Sequence, residues 1–393
     1  MKIRRGLKAA LTTVLCTIVA CAPARGLVTL NDSHDHVFVT GSMGISRDSN
    51  VFANRDSAGD FVYSSSVAAE YTRRAGWIGV NAGVVINASR YGRIRGEDFS
   101  NPSYSLELTK QSGRTTGSFT LNGARESRAD SAVNVRSSSW NYAAGLNYKY
   151  PIIERFTLSG SFGYSARKYI DEAQFANLST YTASTDLFYV FTNERDLVAG
   201  YRFRQGETSR NTSTTDHSIT GGITGRIIRG INGAVRVGYQ VRTPHGGNGD
   251  RPEYHSVTAS GSASYSVNRK IKINGSLARD FATTATDASV QTTTANIEAT
   301  YDYSNHWTFS AGAGWGDSQF LGEKGRIIIR NDPPVVFGPN RHDNYANANA
   351  SIGYSLNEHF KASFTYTWFK NWSAVEFADF VRNSWGLNFS SRW

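Results

Sequence analysis

From about residue 36 onward, apolar or aromatic side chains alternate with small or polar ones in runs of about ten or more residues, each run bounded by turn-forming residues. In one run Ile78, Val80, Ala82, Val84, Ile86 and Ala88 interleave with Gly79, Asn81, Gly83, Val85, Asn87 and Ser89. In another, Trp140, Tyr142, Ala144, Leu146, Tyr148 and Tyr150 interleave with Asn141, Ala143, Gly145, Asn147 and Lys149. A period of two puts the two sets on opposite faces of a strand. The pattern predicts eighteen strands, at 36–46, 60–71, 76–89, 103–110, 115–125, 138–150, 155–167, 177–191, 196–206, 217–228, 231–242, 255–267, 270–280, 289–303, 306–316, 344–356, 359–369 and 380–393.

A soluble sandwich alternates as well, so the character of the second face has to decide. Here that face carries Arg, Lys, Glu, Asn and Gly. The apolar face is nearly free of charge and often has Trp, Tyr or Phe toward the ends of a run, as lipid-facing strands do at membrane interfaces. Run length agrees, since roughly 9–11 tilted residues cross a bilayer. Every second connection is short, as at 151–154, 193–195, 229–230, 268–269, 304–305 and 357–358. The others are mostly longer and more polar, among them 47–59, 91–102, 243–254 and 317–343. The expected fold is all-β: a transmembrane antiparallel up-and-down barrel over 36–393, with short turns and both termini in the periplasm and longer loops outside. Lipid offers no partner to an open sheet edge, so the first and last strands should close the cylinder.

Composition removes the other membrane architecture. Mean hydropathy is -0.40, and beyond the N-terminus no stretch approaches the roughly 20 apolar residues of a spanning helix. Aromatic residues make up 12% of the chain, far more buriable surface than a disordered chain carries. Residues 1–24 have the layout of an export signal: Lys2, Arg4, Arg5 and Lys8, an apolar stretch from Ala9 to Ala22, and small residues at Ala20, Ala22 and Ala24. A short periplasmic segment, 25–35, would follow. Both cysteines, Cys16 and Cys21, fall inside the signal, so a mature chain would have neither a disulfide nor a thiolate metal site. The alternative is a lipobox at Ile18–Cys21, with Cys21 acylated. Losing four cations with the signal lowers the formal charge from +10 to +6, and no dense Lys/Arg run remains to suggest nucleic acid.

The last strand alternates Trp385, Leu387, Phe389 and Trp393 to the final residue. This resembles the terminal signal read by the barrel-insertion machinery, with Ser391 as a departure from the usual hydrophobic position. The stretch Ser46-Arg47-Asp48-Ser49-Asn50-Val51-Phe52 resembles an Asp-Ser-Asn-hydrophobic-aromatic motif in a family of outer-membrane β-barrel porins of Gram-negative bacteria, some associated with exopolysaccharide export. The resemblance implies an outer-membrane location, with contacts to membrane lipid and lipopolysaccharide, and a channel role.

Eighteen strands leave an aqueous interior, so function should be read on the inward parity. Small residues dominate there, as Ser159, Ser161 and Gly163, or Gly312, Gly314 and Gly316. One expected wall is basic, with Lys149, Arg167, Arg202, Arg204, Arg226, Arg236, Arg242 and Lys272 against Asp186 and Asp280. The other is mildly acidic, with Glu70, Glu107, Glu126, Glu298 and Asp302 against Lys361 and Arg392. Opposed rows at a constriction would set up a transverse field selecting dipolar or anionic solutes; solvated lumen residues paired to no such end are the plainer alternative. The longest loop, 317–343, could fold inward with Arg326 and Arg330 facing the channel, or extend outward as a hairpin turned at 331–334.

Rim hydrolysis needs a His beside a carboxylate or nucleophile. Asp216-His217, Glu253 with His255, and His342-Asp343 are the candidates, and none has a recognisable catalytic spacing. His306 and His359 read as interfacial residues, and neither metal nor cofactor is expected. The sequence thus points to passive diffusion of small hydrophilic solutes, with anionic sugars, oligosaccharides or exopolysaccharide as the finer reading. A non-conducting surface barrel whose loops bind a partner is the second reading, and a rim hydrolase the third. Oligomeric state is not legible.

Overall fold

A computed structural model describes residues 28–30, 35–74, 76–130, 135–170, 175–246, 252–285, 287–321 and 341–393. The signal segment 1–24 and the loop residues Arg326 and Arg330 lie outside the described residues. A short strand, β1 (Val28–Leu30), precedes eighteen long ones. The first nine are β2 (Asp35–Asp48), β3 (Asp60–Arg73), β4 (Gly79–Tyr91), β5 (Phe99–Lys110), β6 (Thr116–Asp130), β7 (Val135–Ile153), β8 (Phe156–Tyr169), β9 (Leu178–Thr192) and β10 (Arg195–Thr208). The rest are β11 (Thr212–Ile228), β12 (Ile231–Gly246), β13 (Tyr254–Ser266), β14 (Ile271–Thr283), β15 (Ser289–Asp302), β16 (Trp307–Leu321), β17 (His342–Ser355), β18 (Phe360–Ser373) and β19 (Phe380–Arg392).

Each long strand pairs antiparallel with the next, and β19 pairs with β2, so the sheet closes into an eighteen-stranded barrel. The predicted parity holds through the register. Val39, Val67, Ile86, Leu121, Phe162, Ile219, Val237 and Phe389 point outward and are exposed, forming the apolar belt that lipid requires. Two glycines on this face are roofed by aromatic rings. A Cβ on Gly123 would fall 2.2 Å from the Tyr104 ring, and one on Gly160 2.5 Å from Tyr148. Such a ring restores the surface a glycine omits. Buried apolar side chains are few among the described residues, and most, such as Val51, Tyr169, Phe281 and Phe380, sit at the end of the barrel bearing the longer loops.

The seam is completed by both ends of the chain. β19 covers β2 from Thr40 to Asp48, the Trp393 backbone exchanges hydrogen bonds with Val39, and β1 takes the same edge at 35–37. Residues 28–30, within the expected short periplasmic segment 25–35, pair as a strand.

Above the seam lies the Asp-Ser-Asn stretch. Arg382 on β19 donates from Nη2 to Asp48 at 2.5 Å, and Ser49 and Asn383 exchange bonds of 2.9 and 2.7 Å. The fully buried Asn50 donates to the carbonyl oxygens of Asn54 and Val381. The motif therefore clasps the first strand to the last. Asn50→Ala should remove these bonds and cost about 1–3 kcal/mol. It should lower the temperature at which the protein loses compact mobility on SDS gels; an unchanged transition would deny the clasp.

Candidate functional site: a constriction inside the barrel

Beyond the Ala259–Arg279 pair, β14 parts from β13, while β14 and β15 stay paired up to Thr283 and Ser289. The upper hairpin leans across the inner faces of β13, β12, β11 and β10. Inward side chains of those strands receive it. Arg204 donates to the Phe281 carbonyl at 2.7 Å, Arg242 donates to that of Ala282 at 2.7 Å, and Gln291 bonds Ser256. At the tip, Ala176 before β9 donates its N–H to the Ala285 carbonyl at 2.8 Å, and Thr212 on β11 donates to Asp287. A polar wall is buried as a result, made of Thr212, Thr214, Asp216, Ser218, Gln240, Arg242 and Thr258.

Buried charge must be paired to be tolerated, and this wall meets that condition. Asp216 accepts from Arg242 through Nε and Nη2 at 2.6 and 2.8 Å, and from Arg204 Nε at 2.6 Å. Arg204 also reaches Asp280 at 3.2 Å, and Arg202 meets Asp280 at 2.8 Å. Two arginines thus bridge β11 to the hairpin backbone, with Asp216 as the shared anion. Lower down, Arg236 pairs with Asp186 at 2.9 Å and lies 5.8 Å from the Phe188 ring.

Two cavities border the hairpin. One, of about 290 Å³, is lined by Arg202, Arg236, Asp186 and Asp280 together with hydroxyls such as Ser218, Thr220 and Ser260. The other, of about 670 Å³, lies against β4 to β9, with Thr283 of the hairpin on its far side. Its lining is mostly neutral: Ser103, Ser105, Asn122, Asn141, Ser165 and Thr180, with Glu126 and Arg167 as the charges. Arg167 donates to Asn141 at 2.7 Å.

The other charged positions are at the short-turn end. Arg226 pairs with Glu194 at 2.6 Å and Glu70 with Arg392 at 2.9 Å, and Asp302 accepts from Thr308 at 3.2 Å. Lys149, Lys272, Glu107 and Glu298 lie near the same end of their strands. Arg204 is nine residues above the start of β10, whereas Glu298 is four from the end of β15. At about 3.3 Å per residue and a tilt near 40°, that is a difference in depth of about 13 Å. Arg204 and Arg242 therefore lie above Glu298, whereas Lys149, Arg226 and Lys272 stand near its level.

The histidine candidates diverge. Asp216 points inward while His217 points outward, where its Nδ1 meets the Tyr201 hydroxyl at 2.8 Å. His342 bonds Asp317, whereas Asp343 pairs with Arg341 at 2.5 Å and accepts from Ser373. His255 stacks on Tyr239, and Glu253 accepts from Thr243 at 3.5 Å. His306 and His359 bond the carbonyls of Ser355 and Arg392. Among the described residues no group of three or more His, Cys, Asp or Glu could hold a metal ion. On the outer face, Trp385, Leu387 and Phe389 are exposed to the belt, and Trp393 stacks on His359 with ring centroids 4.4 Å apart.

No protein-family model and no curated protein sequence matches the chain. Among solved structures it is similar to Pseudomonas aeruginosa OpdK, solved with vanillate, at 10% identity and a TM-score of 0.47, covering 91% of this chain and 99% of that one. It is similar to P. aeruginosa OccK2 (OpdF), in complex with glucuronate, at 12% identity and a TM-score of 0.49, covering 94% and 99%. Acinetobacter baumannii OccAB3 is similar at 10% identity and a TM-score of 0.46, covering 91% and 99%. By its own strand pairing, closure and apolar belt, the chain is a closed eighteen-stranded antiparallel β-barrel with the outer face of a transmembrane barrel.

Proposed function

We propose that this barrel is a passive channel of the Gram-negative outer membrane for small hydrophilic solutes, narrowed from within by the β14–β15 hairpin. The observation that carries the reading is the polar cavity of about 670 Å³ bordered by that hairpin. Short turns and both termini would face the periplasm, with longer loops outside. The hydroxyl and amide lining suits solutes that exchange hydrogen bonds with water for hydrogen bonds with the wall. Sugars and short oligosaccharides are the finer proposal. A modest preference for anionic ones follows from Arg202 and Arg236, whose side chains are 31% and 27% exposed.

Planar-bilayer recording of the purified protein tests this directly: steady conductance is expected, and its absence at all voltages would favour a non-conducting surface barrel. In a salt gradient the reversal potential should indicate weak anion selectivity. Replacing Arg202 and Arg236 by serine should move it toward cations, since Asp186 would then lose its cation and Asp280 would keep Arg204 alone. An unmoved potential would show that these side chains do not border the ion path.

A further inference from the structure

The outer face of a membrane barrel should carry little charge, and at the long-loop end, where outward Arg90 and Lys370 have acidic partners, one cationic row has none. Arg125 on β6 is paired in register with Trp140 on β7, and Trp140 with Lys168 on β8. All three share the outward parity of Leu121, Leu146 and Phe162, which are exposed to the belt. The two cations flank the indole at two inter-strand spacings, about 10 Å between backbones, close enough for their long side chains to converge above it. Tyr142 stacks beneath Trp140 with ring centroids 6.0 Å apart and planes 9° apart. Directly below run Leu121, Phe162 and Tyr164, all exposed to the belt.

Neither cation is paired. Arg125 and Lys168 have no ion-pair partner among the described residues, and the Arg125 Nε is buried with no hydrogen-bond partner. No outward position on these three strands is acidic within the described side chains. A buried, unpartnered guanidinium donor carries a cost that an anion would offset.

We propose that Arg125, Trp140 and Lys168 form a binding site for the phosphate of a lipid head group in the outer leaflet. The position favours an amphipathic ligand over free phosphate. A phosphate between the cations leaves its acyl chains running down over Tyr142, Leu121 and Phe162, where apolar contact adds to charge-assisted hydrogen bonds. The inference rests on the membrane-spanning reading and on the long loops facing outward, and not on conduction.

Native mass spectrometry of the detergent-extracted protein, with diphosphorylated lipid A added, tests it. The wild type should retain this lipid, bind its dephosphorylated form at least about tenfold less, and not release it to millimolar inorganic phosphate. Arg125→Gln with Lys168→Gln should lower retention by about tenfold or more, with heat-modifiable gel mobility unchanged. Should that double variant fail to fold, Lys168→Gln alone changes an exposed side chain and should still lower retention. Equal retention by any folded variant, or by wild type of the dephosphorylated lipid, overturns the site. Lipid binding without conductance would sink the channel reading and leave the site standing; conductance without phosphate-dependent binding would do the reverse.

Discussion

Excising the hairpin tip, 284–288, and joining its strands through a two-residue turn should raise single-channel conductance by about twofold or more, because a pore's narrowest section sets its resistance. The tip follows Thr283, the hairpin residue that lines the 670 Å³ cavity, and reaches the residues before β9. Withdrawing it also uncovers Asp216 and Arg242, each 2% exposed in the intact barrel, so ion selectivity should shift along with conductance. Larger solutes in a liposome-swelling assay should enter faster. Unchanged conductance and solute cut-off would place the limiting section elsewhere and remove the hairpin from the permeation path.

Asp216→Ala should have the largest effect on stability. It deletes the shared partner of Arg204 and Arg242, leaving the buried Arg242 without a carboxylate and Arg204 with Asp280 alone. Breaking a buried pair by removing one partner costs about 3–5 kcal/mol. Asp216→Asn keeps an acceptor and loses the charge, so it should be intermediate. Both would be read as a lower urea midpoint in lipid vesicles. Both should also increase current noise, because Arg204 and Arg242 are the donors that hold the backbone of 281–282. If Asp216→Ala unfolds at the wild-type midpoint, the pairing does not anchor the hairpin.

The barrel was legible in the sequence because every strand has two unlike faces, and a one-residue slip would turn all its apolar side chains inward. Parity located Arg202, Arg204, Arg236 and Arg242 on the lumen side, as the register has them. Strand ends were harder. The alternation suggests a strand from 217, whereas β11 begins at Thr212, so Asp216 reads as a loop residue instead of the cross-strand neighbour of Arg204 and Arg242. The longer segment at 317–343 draws attention as a constriction through its apolar runs, and the short polar one at 284–288 does not. What brings the latter inward is set by arginines some 40 and 80 residues away in sequence, through contacts that no local pattern encodes. Phe281 shows the gap: its parity reads as a ring that meets lipid, whereas in the inward-leaning hairpin it is 2% exposed.

The same hairpin bears on how the cell surface presents this protein. With the long loops outside, as proposed, an antibody or phage fibre meets the connections that project, while Ala285 and Asp287 are turned away from it and bonded to Ala176 and Thr212. Immune and phage pressure should therefore diversify the projecting loops and spare this one, whose changes would be felt in permeability instead of recognition.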